Sequence, residues 1–240
     1  MYQIFKKELN SFLDSLIGYV VIGVFLMATG LFTWFFKDNI LDFGYADMSL
    51  FFQISPFIFL FLIPAITMRA FSEEVKSGTI ELLFTKPLSK WQIVFGKYLA
   101  SCFLILLSLL PTLLYYYSVF QLGNPQGNID SAAVFSSYLG LLLLGCVFAA
   151  IGILMSSLTD NQVTAFVLSF VVCLILFYGI TQLAQLPFMG DFGYIFNQLG
   201  LDYQYNSLGK GLLDSKNIIY FLSVIFLSLW ITKLKISTLR

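Results

Sequence analysis

The sequence predicts an all-α membrane protein. It has six transmembrane helices, an interfacial helix before the first, a short cytoplasmic helix between the second and third, and short re-entrant helices on the outer side before the sixth. Three observations predict it. Apolar residues make up 59% of the 240 without counting the 17 glycines, whereas a soluble domain reaches roughly 45–50% with glycine included. Charged residues are 11%, less than half the usual ~25%. Those few charges bound six long uncharged runs. A soluble fold of this size lacks the interior to hide so much apolar surface, so lipid is the solvent for most of the chain. The 13 basic residues balance 13 acidic ones. With no long basic run, this composition excludes a nucleic-acid partner, and with so little charge it excludes a disordered chain.

A helix rising 1.5 Å per residue needs about 20 residues to cross ~30 Å of hydrocarbon. Asp14 to Lys37 encloses 22 uncharged positions, and Asp47 to Arg69 encloses 21. Lys97 to Asp130 encloses 32, including a turn at Gly123-Asn124-Pro125. Asp130 to Asp160 encloses 29 and Asp160 to Asp191 encloses 30. Lys216 to Lys233 leaves only 16, which suffices because both lysines can snorkel. The expected spans are 16–36, 49–68, 98–120, 133–157, 163–183 and 217–233, all within one domain of residues 1–240. The runs are continuous rather than alternating, as barrel strands would be, and helices satisfy their own backbone in lipid. Pro56, Pro64 and Pro111 read as tolerated kinks, with broken helices as the alternative.

Before the first span, Ile4, Phe5, Leu9, Phe12 and Leu13 recur at helical spacing beside Lys6, Lys7 and Glu8. That pattern reads as a helix in the inner headgroup layer, the alternative being a solvated leader. The first apolar run is too long for the core of a cleavable signal peptide. Six spans put both termini on one side, with ten Lys and Arg there against three opposite. Both termini and the 69–97 loop are therefore expected to be cytoplasmic.

Chemistry is sparse. There is no histidine, which removes the commonest metal ligand and the commonest general base. Cys102, Cys146 and Cys173 all fall within spans, match no metal or disulfide spacing, and read as buried inert thiols. No phosphate-cradling G-x-x-x-x-G-K-[ST] loop is present, and no span carries a charge near its middle, which argues against an ion-coupled carrier. The chain reads as a membrane domain without its own energy source, not an enzyme, with no catalytic, cofactor-binding or metal-binding residues of its own.

The largest cytoplasmic feature runs from Arg69 to Ala100. Ser72 is placed to cap a helix whose next residues, Glu73 and Glu74, favour its positive end, and Gly78 to terminate it. A second stretch at 79–84 turns Ile80, Leu83 and Phe84 toward the membrane until Pro87 stops it. Ser89-x-x-Gln92 forms a capping box for the helix entering span three, and Thr159-x-x-Gln162 a second one for span five. The segment is either a lever tied to spans two and three or a solvated interfacial loop.

The pattern R-x-F-x-x-E-x-x-S-G-T-x-E-L-L-x-x-x-P-L-S-x-x-x-I-V-x-G-K in this segment resembles the link between spans two and three of ABC-2-type transporter permeases. Phe5 to Leu9, Phe12, Ser15 and Gly18 to Val21 are similar to the opening of gliding-motility permeases of the GldF kind. Relatives of those include the membrane subunit of a copper-site maturation system for nitrous oxide reductase. The resemblance implies that Glu73, Glu74, Lys76, Gly78, Thr79, Glu81, Leu82 and Leu83 form a coupling segment docked on a separate ABC ATPase. ATP and Mg would then belong to that partner, with no cofactor in this chain. It also implies an N-terminal interfacial helix at about 2–14, a second permease-like subunit in a heteromer rather than a homodimer, and a place in the bacterial inner membrane. The expected function is an ATP-driven permease subunit of a gliding-motility-type or secretion system. A mechanical or scaffolding subunit driven by the same ATPase is the alternative.

Two further features concern packing. Gly145, Ala149, Gly152 and Ser156 fall on one face of span four and mark a close helix contact, within the subunit or between subunits. The 184–216 segment, with Tyr194, Phe196, Leu199, Leu201, Tyr203, Tyr205, Leu208, Leu212 and Leu213, is too apolar for a solvated loop. It reads as short helices that cap a pathway or only anchor in the outer leaflet.

Overall fold

A computed structural model of the chain describes residues 1–37, 39–42, 44–81, 88–186, 192–209, 211 and 214–238. Among them every regular element is helical. The expectations made for Leu82, Leu83, Phe84, Lys86, Pro87, Lys210, Leu212, Leu213 and Arg240 lie outside the described residues.

The chain opens with α1 (Tyr2–Leu13), α2 (Leu16–Trp34), α3 (Ser49–Thr67) and α4 (Arg69–Lys76). Helix α5 (Lys90–Leu109) passes through a 3-10 turn at Leu110–Thr112 into α6 (Leu113–Leu122). Then come the 28-residue α7 (Ser131–Leu158) and α8 (Gln162–Leu174), which runs through a π turn at Ile175–Gly179 into α9 (Ile180–Ala184). Two short helices, α10 (Phe192–Gln198) and α11 (Leu201–Gly209), precede α12 (Ser215–Thr238). Five stretches are long and apolar enough to cross a bilayer: Ser49–Lys76, Lys90–Leu122, Ser131–Leu158, Gln162–Ala184 and Ser215–Thr238. The count becomes six if the bent pair of α1 and α2, which meet at 66°, is one span.

Helix ends differ from the charge-bounded windows for a physical reason. Charge ends an apolar run, but it does not end a helix. Helix α5 begins at Lys90 rather than 98, behind a capping box in which Ser89 and Gln92 each accept from the other's backbone N–H. Helix α12 runs from 215 to 238 rather than 217 to 233. Span five starts differently than expected. Its cap is Asn161, whose Oδ1 accepts from Val163 N at 2.9 Å, while Thr159 Oγ1 donates back to Met155 O and closes α7. Pro56 and Pro64 lie within a continuous α3, whereas Pro111 coincides with the 3-10 turn in span three.

Helix α7 is the axis of the bundle. It packs against α3, α4, α5, α8, α11 and α12, and 72% of its most apolar window is buried, against 22% in span five and 28% in α12. Small residues allow this crowding, since association in lipid relies on close packing. A Cβ on Gly145 would lie 2.9 Å from Ile105 of α5 and 3.5 Å from Phe59 and Ile63 of α3. One on Gly152 would lie 2.0 Å from Thr67 Oγ1 at the end of α3. Ala149 and Ser156 are fully buried on the same helix. The four small residues therefore face helices of their own chain.

Opposite that end, α11 is fastened to the bundle by two hydrogen bonds. Ser136 Oγ donates to Leu208 O at 2.8 Å, and Tyr205 Oη donates to Phe52 O at 2.7 Å. The second bond has a cause in the sequence. A proline has no N–H, so Pro56 cannot pair with the carbonyl four residues back, that of Phe52. The Tyr205 hydroxyl fills the vacancy, and burial, aided by the nearby Asp202 charge, pushes its pKa well up and keeps the donor proton in place.

Two substitutions follow. Gly152→Ala is expected to lower the thermal stability of the detergent-solubilised chain by about 1–3 kcal/mol through overpacking, while Gly23→Ala, with nothing within 4 Å of its new Cβ, leaves it unchanged. Tyr205→Phe should cost about 1–3 kcal/mol by stranding the Phe52 carbonyl. In a Pro56→Ala background, where a helix N–H is restored, the same change should cost clearly less. Equal costs in both backgrounds would break the link between Pro56 and Tyr205.

Candidate functional site

The charged residues at the α1, α4 and α5 end of the bundle converge on one point. Helix α1 lies across α5 where Gly96 leaves room: a Cβ there would stand 2.8 Å from Ile4 Cγ2. One turn on from Ile4, Glu8 comes over Lys97, the neighbour of Gly96. Lys97 is only 4% exposed. Its Nζ donates to Glu8 Oε1 at 2.9 Å and to Glu74 Oε1 at 2.8 Å, and stands 5.1 Å from the centre of the Phe71 ring. Lys7 approaches Glu74 Oε1 at 3.8 Å from the exposed side. A buried ammonium is tolerable only when paired and hydrogen-bonded, and here its partners come from two other helices.

Helix α4 is held from its other side by Ser156 of α7. The Ser156 hydroxyl accepts from Phe71 N at 3.0 Å and Ser72 N at 3.1 Å and donates to Met68 O at 2.8 Å. The first N–H groups of a helix have no partner within it, and α4 has no side-chain cap of its own. Ser156 supplies one in trans. For that reason α4 starts at Arg69 rather than after Ser72. Ser72 lies inside the helix, fully buried, with its hydroxyl donated back to Met68 O.

The expected coupling residues separate into two groups. Glu73, Lys76, Gly78, Thr79 and Glu81 are exposed. Glu74 turns inward to Lys97, and its Oε2 is buried with no hydrogen-bond partner among the described residues. Leu82 and Leu83 lie outside the described residues. Gly78 ends α4 at φ +69°, a left-handed conformation that favours glycine, and Ile80 then returns to the buried core. Between α1 and α4 opens a cleft of about 480 Å³, lined by Lys7, Glu8, Arg69, Glu73, Glu74 and Lys97 among others. Arg69 closes one wall, its guanidinium carbon 5.7 Å from the centre of the Phe12 ring.

Sequence reasoning missed Lys97 and the capping role of Ser156. The only available signal for Lys97 was a lysine eight positions into a capped helix whose next residues are apolar. Among the described residues no group of three or more Cys, Asp or Glu side chains is arranged to hold a metal ion. Helix α4 is tied through Glu74 to Lys97 of α5, which also pairs with Glu8 of α1, and through its own start to Ser156 of α7.

Compared with models of known protein families, residues 2–208 match the one described as ABC-2 family transporter protein. Comparison with curated proteins gives no match.

Lys97→Met, which keeps the stem and removes the charge, leaves Glu8 and Glu74 facing each other with only the exposed Lys7, 3.8 Å from Glu74, as a counter-charge. It is expected to destabilise the chain by about 3–5 kcal/mol, read as a fall in melting temperature. Lys97→Arg should recover part of the loss, and an unchanged melting temperature in Lys97→Met would show that the cluster does not hold α1 and α4 in place.

Proposed function

The chain belongs to the ABC-2 family of transporter proteins, and from that premise we propose that it is the membrane permease subunit of an ATP-driven transporter, worked by a separate ATPase chain that docks on the 69–83 segment. The observation that carries the reading is the double attachment of α4, by Lys97 to α5 and α1 and by Ser156 to α7. A handle fixed at only one point would swing. One fixed at both ends passes displacement to the spans behind it. Glu73, Lys76, Thr79 and Glu81 supply the exposed contacts, and the cleft beside α1 supplies the recess. Rigid-body motion of the ATPase would then rock spans two, three and four and give alternating exposure.

The orientation belongs to the same proposal. The Lys and Arg bias supports a cytoplasmic position for both termini and α4, with α1 lying in the inner headgroup layer and α10 and α11 at the outer leaflet. The chain as one transmembrane unit, a bacterial inner-membrane location, a gliding-motility-type or secretion system and a second, different permease-like subunit are parts of the reading that rest on the sequence resemblance. ATP and Mg would be bound by the partner. No step of hydrolysis is assigned to this chain.

The test separates docking from folding. Glu73→Lys with Glu81→Lys reverses two exposed charges and leaves Glu74 paired with Lys97. The double variant should keep the parent melting temperature while its association with the ATPase weakens about tenfold or more, a change of ~1.4 kcal/mol or above. An intact complex with full ATPase stimulation in the double variant refutes docking on this face. Stimulation that no cargo ever alters favours a mechanical subunit over a permease.

A further inference from the structure

Lys233 closes the apolar run of the last span, and its ammonium bridges two helices. Its Nζ stands 5.5 Å from the centre of the Trp91 ring, at the start of α5, and 5.5 Å from that of Trp230, one turn back on α12. The two indoles meet edge to face at 6.0 Å, and Phe95 and Phe226 stack on Trp91 at 5.3 and 6.3 Å. This aromatic shelf looks outward: Phe226 is 53% and Trp230 44% exposed, on one of the least buried spans. The shelf offers donors that the fold does not use. Among the described residues no carboxylate pairs with Lys233, and neither indole N–H, which can only donate, has an acceptor. Lys97 gives the contrast, since it also lies over an aromatic ring, that of Phe71, yet holds two carboxylates. Lys233 has ring faces alone, and these compensate an exposed cation only weakly.

We propose that Lys233, Trp91 and Trp230 form a headgroup site for an anionic phospholipid at the joint of α5 and α12. A phosphodiester is an anion that only accepts hydrogen bonds, which suits one ammonium and two indole N–H groups. The acyl chains of such a lipid would lie along Phe226 and the outward face of α12. Net charge decides between lipids. Phosphatidylcholine carries the same phosphate, but its quaternary ammonium seeks aromatic faces that Lys233 already occupies, and it meets a like charge there. Phosphatidylglycerol brings no competing cation. The site requires only that α12 lies in lipid. It depends neither on the ATPase reading nor on which leaflet this end of the bundle faces.

The experiment uses the tryptophans as reporters. The chain has three, so Trp34→Phe leaves only Trp91 and Trp230. The full chain is reconstituted in phosphatidylcholine bilayers, and fluorescence quenching is followed as phosphatidylglycerol or phosphatidylcholine with brominated acyl chains is mixed in. Half-quenching is expected at a roughly fivefold lower fraction of brominated phosphatidylglycerol than of brominated phosphatidylcholine, the worth of one lysine at an anionic surface. Lys233→Gln should abolish that preference and leave quenching by phosphatidylcholine unchanged. Lys235→Gln, two positions on and so on another face of α12, should keep it. Equal half-quenching fractions before any change at Lys233, a preference that survives Lys233→Gln, or one that Lys235→Gln removes equally, overturns the proposal. So does a preference that inorganic phosphate removes and sodium chloride of the same ionic strength does not, which marks a site for soluble anions. If Trp34→Phe fails to fold, the same comparison in the parent chain with and without Lys233→Gln isolates the share of the signal that belongs to the site.

Discussion

Lys97 carries a positive charge 4% exposed at the foot of an otherwise apolar helix, and the architecture around it is arranged to keep that charge paired. Gly96 lets α1 lie close enough for Glu8 to reach it. Glu74 reaches it from α4. Removing either carboxylate alters the balance for the other two groups, because a charge out of water is stabilised only by its partners. Three segments distant in sequence are thereby made mutually dependent. The cluster stands where the amphipathic N-terminal helix, the α3–α4 joint and the third span meet, so the path of the chain at that end follows from this one pairing.

The opposite end relies on neutral hydrogen bonds rather than charge. Pro56 frees a carbonyl inside α3, and Tyr205 occupies it. Gly140 admits Leu208 and Tyr205 against α7. Helix α11 is thus fitted to the bundle at a site that the sequence of α3 leaves open. Helix α7 runs between the two ends, and its glycines, alanines and serines allow five spans and their connecting helices to share one axis.

Much of this was legible in the sequence, for identifiable reasons. Uncharged runs marked the apolar helices because a charge near the middle of a helix in lipid is costly. Ser89 with Gln92 and Gly78 marked helix ends because capping is local chemistry within four residues. The misreadings share the opposite character. Ser72 looked like a cap, but the hydroxyl that caps α4 is Ser156, 84 positions away from Ser72. Thr159 looked like a cap, but Asn161 is closer to the first unpaired N–H and accepts from Val163. Glu8 and Lys97 are 89 positions apart. The π turn at Ile175–Gly179 has no local sequence signal beyond its packing, with Phe177 edge-on to Phe57 and Phe148. Contacts set by tertiary folding were invisible, and so were the roles that depend on them.

The borrowed cap on α4 has one more implication. Eight residues are too few for a helix to persist alone in water, and this one has no capping side chain of its own to close its first turn. The first turn of α4 and the end of α7 are thus held as one unit by three hydrogen bonds through a single hydroxyl.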